Sequence, residues 1–312
     1  MERPRYDELP VIDAIGYRHA WGVFGEEDDC GTINLLTPEL VRHSTQLVQT
    51  GETITLNLPL TEPDPPLFGR APIHHELFPV DRNNRDDKLD GFHPQASTQW
   101  DGLRHVRCRE FGFYGGLTEE FAPGPGRLGI EHWAQRGIVG RGVLLDVAGH
   151  LASTGREFDP FVRRAITVDE LRETATAQAV ELRTGDILCV RIGWQEAYRA
   201  LSRDERVSYR DGTIELAGLH AGDDMARFLW DTGIAGLATD TPAVEMFPAD
   251  MQAGSLHRRM IPLMGMAFGE LFDFEQLTAT CQRDARWDFM FVSVPLNIPG
   301  GVGSPANAIA LR

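Results

Sequence analysis

The chain has 312 residues, with 30 Lys and Arg against 46 Asp and Glu, a formal net charge of −16. Its 42% hydrophobic and 24% charged residues are ordinary for a soluble globular protein with a sizeable core, so no staple is required. The acidic balance argues against nucleic acid and against an anionic membrane surface as partners.

No stretch of about 18 apolar residues is present, so nothing is expected to span a membrane. The opening residues, Met1-Glu2-Arg3-Pro4-Arg5-Tyr6-Asp7, lead into no apolar run of the signal-peptide kind, and the expected location is the cytoplasm. Cys30, Cys108, Cys189 and Cys281 are far apart and form no CxxC pair. That excludes a Cys-rich zinc module and argues against a disulfide framework; the four read as buried apolar residues.

Taken in chain order, residues 53–58 have strand composition. Residues 61–90, rich in Pro, Asp, Asn and Arg, read as a long loop inside one domain spanning 1–312. Within it, His74 and His75 are neighbours on an extended chain and face opposite sides, so they are not expected to share an ion. Residues 142–147 form a short apolar run suited to a buried strand. Thr167 can cap a helix with Glu170 three residues on, and that helix is predicted to run to about Val180. Residues 187–192 and 234–239 are further buried strands, with helical spacing over 219–232 between them. Residues 289–294 make a late strand. Strands mixed with helices throughout predict an α/β fold. Neither GxGxxG nor GxxxxGK[ST] occurs, so no phosphate-cradling loop is expected.

Two polar stretches are candidates for chemistry. The first is Pro94-Gln95-Ala96-Ser97-Thr98-Gln99-Trp100-Asp101-Gly102-Leu103-Arg104-His105. Read as extended chain, it turns Gln95, Ser97, Gln99, Asp101 and His105 to one face. Such a face is either a wet strand edge or a site. The second runs from Gly254 to Leu271. His257 and Glu270 lie thirteen residues apart and would be off a common face on one straight helix, but Pro262, Gly265 and Gly269 break that helix and let the two converge. A helix-end His and a surface Glu is the alternative. Asp240 and Glu245 follow a strand end, where ligands tend to sit in open α/β sheets; a turn-forming Asp is equally consistent.

Several segments, in order, resemble the cyclase family of metal-dependent hydrolases, which includes bacterial kynurenine formamidase and isatin hydrolase. They are Trp21-Gly22 with Asp29, Gly31, Thr32 and Asn34; Gly140 to Val147; Arg183-Thr184-Gly185-Asp186 through Trp194; and Pro295-Leu296-Asn297 with Gly300-Gly301-Val302-Gly303-Ser304-Pro305. The family motif HxGTHxDxPxH falls on residues 95–105. Gln95 and Gln99 stand at its two leading His positions, Ser97 replaces Gly, and Leu103 replaces Pro. Thr98, Asp101 and His105 match.

The resemblance implies a mixed swivelling β/β/α fold with a small barrel-like central sheet. It implies a hydrolase of a small amide, imide or lactone, acting through one divalent metal, manganese or zinc. The ion would be held by Asp101, His257 and Glu270, with Gln95 or Gln99. His105 would be the general acid/base, assisted by Asp101. Trp100, Ser97, His220 and Asp240 are the candidate substrate-binding residues. Gln oxygens are harder and weaker ligands than imidazole, so an oxygen-rich site or a lost metal is in play. A metal-independent cyclase or dehydratase on the same scaffold is the alternative. The partner implied is a small-molecule substrate, and the assembly a homodimer or homotetramer.

Overall fold

The computed structural model describes residues 3–312. The apolar runs seen in the sequence become the middle of a nine-stranded sheet. Its order is Gly303–Pro305, Gln99–Asp101, Ala267–Glu270, Gly236–Thr239, Ile187–Arg191, Ile138–Asp146, Asp288–Ser293, Ala308–Leu311, Thr53–Thr55. Four adjacent strands, from Ala267–Glu270 to Ile138–Asp146, run parallel; every other pair is antiparallel. All five residues of Ile187–Arg191 are buried, as expected for a parallel strand covered on both faces. The sheet curls into a half-barrel in a mixed α/β fold. Among the described residues, no helix is long and apolar enough to cross a membrane.

Helices cover the sheet. Val168–Ala177 begins where the capping box placed it: Thr167 Oγ1 accepts the Glu170 N–H at 3.2 Å, and Glu170 Oε2 accepts the Thr167 N–H at 2.9 Å. Trp100 is fully buried, its indole against Phe272 and Phe291 and its N–H donated to Ser293 Oγ at 2.9 Å. Burying that ring removes roughly 200 Å² of apolar surface from water, a gross gain of about 5 kcal/mol. Arg191, 7% exposed, is the ionic hub of the far side. It holds Asp146 at 3.0 Å, Glu196 at 2.5 Å and both oxygens of Glu275 at 2.9 Å.

Several elements differ from the sequence reading. The extended stretch 95–105 contracts to the three-residue strand Gln99–Asp101, because Gly102 leaves the ladder and its N–H bonds Val302 O instead. The loop at 61–90 contains a hairpin, His74–Pro79 with Arg85–Asp90. Its turn is closed by Asp81, whose carboxylate accepts the Asn83 and Asn84 N–H groups. There His75 pairs with Asp87 at 2.8 Å, while His74 is exposed. The helix expected from 219 begins at Asp223, because Leu219 N–H is drawn to Val244 O and His220 N–H to Ile166 O. His220 therefore precedes the helix.

The stretch from Gly254 to Leu271 breaks as its Pro and Gly suggested. Leu256–Arg259 is a short helix, Met260–Met264 a widened helical turn, and Ala267–Glu270 a strand. The reversal falls at Gly265, in the left-handed region at φ 70°. Gly31 backs directly onto it; a Cβ on Gly31 would meet Gly265 O at 1.9 Å. Thr32 N–H donates to the same carbonyl at 2.8 Å. The Gly31-Thr32 pair is thus a clasp on the turn that carries His257 back toward Glu270.

Candidate metal centre

The register of two strands builds the floor. Glu270 is paired with Gln99, Gly269 with Trp100 and Phe268 with Asp101. Directly opposed residues share a face and alternate residues repeat it, so Gln99, Asp101, Phe268 and Glu270 face one side and Trp100 the core. Gln99 Nε2 donates to Glu270 Oε2 at 2.6 Å. His257 comes down from its short helix onto this floor, its ring edge-on to Phe268 with centroids 5.1 Å apart. Its Nε2 is 3.1 Å from Glu270 Oε1 and 3.7 Å from Asp101 Oδ2. One ligand atom each from Asp101, His257 and Glu270 lie within 4.8 Å of one another.

Glu245 holds the imidazole from behind. Its Oε2 accepts His257 Nδ1–H at 2.5 Å and the His257 backbone N–H at 2.8 Å, and its Oε1 accepts Ser255 O–H at 2.8 Å. That carboxylate fixes the tautomer and leaves Nε2 facing Asp101 and Glu270, the arrangement by which carboxylates orient metal-binding imidazoles. Electrostatics follow from this crowding. Burial pushes Glu245 up, but His257 and the hydrogen bonds around it outweigh burial and bring its pKa below the ordinary value. Burial disfavours a charged His257, yet Glu245, Asp101 and Glu270 together raise its pKa well above normal. Glu270 is raised by burial and by Asp101. Two carboxylates and an imidazole nitrogen this close need a proton or a cation among them.

A cation has donors waiting. Asp101 Oδ1 and Gln99 Oε1 are buried and have no hydrogen-bond partner in the protein, a cost of about 1–3 kcal/mol per group unless something fills it. The set is mostly oxygen with one nitrogen, which suits a hard divalent ion such as Mn²⁺. The residues present fit a metal.

His105 lines the same cavity, its Nε2 3.6 Å from Asp101 Oδ2, beyond hydrogen-bond reach. Gln95 stands apart from the hydrogen-bonded cluster. Its amide fills the space over Gly303, which is paired with Asp101, so it lies on the cluster's side of the sheet. The four candidate substrate-binding residues do not line the cavity. Trp100 is core. Ser97 donates to Pro59 O at 3.0 Å. His220 pairs with Asp224 at 3.0 Å. Asp240, fully buried, accepts the Ile192 and Gly193 N–H groups at 2.7 Å each and ties down a strand end. The residues that do wall the cavity, of about 630 Å³, include Tyr17, Phe68, Phe247 and Arg258. None carried a spacing signal; only Arg258, beside His257, could have been found from its neighbour.

Glu245→Gln is expected to weaken Mn²⁺ binding about 10–100-fold while the fold persists, as for other carboxylates behind a ligating imidazole. Titration of the stripped protein with Mn²⁺ reads it; an unchanged affinity would remove Glu245 from the site.

With the site defined, comparisons place the chain. The Cyclase family, described as "Putative cyclase", matches residues 52–246, and the protein belongs to that family. A solved structure described as a novel cyclase is 30% identical, with a TM-score of 0.84 over 94% of this chain and 99% of that one. The fold is also shared with an isatin hydrolase bound to the product analogue thioisatinate (14% identity, TM-score 0.62, 88% of this chain and 97% of that one). Isatin hydrolase A from Labrenzia aggregata bound to benzyl benzoate shares it too (15%, 0.58, 83% and 93%). No curated protein sequence matches.

Proposed function

We propose that this chain is a metal-dependent hydrolase of a small amide, imide or lactone. The observation that carries the reading is the meeting of Asp101, His257 and Glu270 beside two unpartnered buried oxygens, at the base of a ligand-sized cavity. Asp101, His257 and Glu270 would hold the ion, with Gln99 Oε1 near enough in sequence and strand register to join them. A divalent ion there supplies Lewis acidity, acidifying water and polarising a carbonyl.

The chain's own groups do the rest. His105, on the cavity wall, takes the proton from the attacking water. It returns that proton to the leaving nitrogen or oxygen as the acyl bond breaks, so one residue serves as base and then acid. Gln99 holds Glu270 in place through its amide N–H. Glu245 keeps the imidazole of His257 from turning away. Membership of a family whose solved relatives include hydrolases supports the reading.

The test has two parts. Elemental analysis of protein purified without added metal should find about one Mn or Zn per chain. His105→Gln should keep that metal and lose about 10²–10⁴-fold in kcat on whichever cyclic imide or lactone the wild type opens. No metal after soaking in Mn²⁺, with turnover intact, would hand the site to the metal-independent cyclase or dehydratase reading. That reading has its own observation: the Gln99–Glu270–His257 hydrogen bonds already satisfy part of the cluster.

A further inference from the structure

The charges lining the cavity are sorted. Its floor carries Asp101, Glu245 and Glu270, and its wall carries Arg70, Arg109 and Arg258. Acids outnumber bases 46 to 30, and Arg127, Arg141, Arg191 and Arg199 each hold a carboxylate. Among the described residues, the side chains of Arg70, Arg109 and Arg258 form no ion pair and donate no hydrogen bond to the protein; Arg70 only lies over the Phe68 ring, 5.7 Å away. Among the same residues, Arg5, Arg42, Arg82 and Arg203 also hold no carboxylate, but they do not line this cavity. Asp250 shares the wall, but its carboxylate accepts the Gln252 N–H at 2.8 Å. Three arginines against one aspartate leave the wall positive.

Arg109 sits at φ 47° and Phe68 at φ 55°, both left-handed, where a glycine would sit without steric cost. Two of the cavity's residues are therefore held in costly conformations with large side chains retained. Arg109 and Arg258 line the same cavity, with Cys108 in its wall.

We infer that the cavity is built for a substrate bearing a carboxylate away from the bond that is cleaved, with Arg109 and Arg258 receiving that carboxylate and Arg70 supporting them. The wall arginines attract an anion, while the floor carboxylates are taken up by His257 and, under the hydrolase reading, by the ion. The ligand is thereby turned: carboxylate outward, scissile carbonyl inward, apolar body against Tyr17, Phe68 and Phe247. A planar guanidinium suits a carboxylate because it can bond both oxygens. The orientation with respect to a cleaved bond rests on the hydrolase reading; the anion site does not.

The experiment separates the two. Phthalimide and its 4-carboxylate differ only in the distal anion. Calorimetric titration of the EDTA-treated full-length chain, and initial rates after Mn²⁺ is restored, read binding and turnover apart. The carboxylate should bind at least about tenfold more tightly than phthalimide, and the preference should shrink as salt is raised. In R109Q/R258Q the ratio should fall to about one. R258Q alone, at an exposed position that cannot unfold the core, should lower it by at least about threefold. R258E should reverse it in favour of 4-(aminomethyl)phthalimide. Equal binding of the two probes by wild type, or a preference that survives in R109Q/R258Q, overturns the inference. Absence of hydrolysis of both probes with the preference intact overturns the imide arm of the hydrolase reading and leaves the anion site standing.

Discussion

Asp101→Asn is expected to lose the metal and about 10³-fold or more of hydrolytic rate, while the melting temperature of the stripped protein stays the same or rises. Asp101 is 1% exposed and stands with Glu245 and Glu270 around one imidazole. Its charge is part of what raises Glu270, so it is held against electrostatic cost. A residue kept for folding would not be placed there; a residue kept for a cation would. Asn preserves the shape and removes only the charge, so the two roles separate. Metal analysis, rates and thermal melts on one preparation read all three quantities. Retention of metal and rate by the variant would sink the assignment of Asp101, and a collapsed melting temperature would make it structural.

Arg191→Met is expected to destabilise the fold by about 3–5 kcal/mol, the cost of leaving the buried Asp146 carboxylate without its partner. Arg191 is one of the few groups that ties three elements at once: the end of the Ile138–Asp146 strand through Asp146, the helix after its own strand through Glu196, and the Glu275–Asp284 helix through Glu275. Burial alone would lower its pKa, but Glu275 and Asp146 raise it, so it stays charged. Met fills the volume and leaves Asp146, 4% exposed, as an uncompensated charge. Urea denaturation should show a lower midpoint with an unchanged slope. A midpoint within error of wild type would mean that water reaches Asp146 and satisfies it.

The contrast between these two sites explains what could be read from the chain alone. Residues 142–147 and 187–192 were legible as buried strands because a parallel strand covered on both faces leaves a continuous apolar run. Thr167 and Glu170 were legible because a capping box is local. Asp101, His105, His257 and Glu270 stood out as candidates from their spacing, but only the family resemblance assigned them to a metal site, since that spacing also fits an ordinary polar face. Trp100 fell beside the motif residues and lies in the core, because strand alternation turns it away from Asp101. Asp240 fell at a strand end, where ligands often sit, and is spent on two backbone N–H groups.

By itself the sequence determined the fold class, the apolar centre of the sheet and the residue types available for a metal, because these depend on composition and on periods of two to four residues. Only the tertiary structure decided that Gln99 rather than Gln95 bonds Glu270, that Glu245 stands behind His257, and that three unpaired arginines face the acidic floor. Those outcomes depend on the Gln99–Glu270 strand register, on the reversal at Gly265 and on loops that meet across the cavity. Contacts between residues far apart in the chain leave no trace in local spacing, so they become readable only when the sheet closes and brings them within a hydrogen bond of one another.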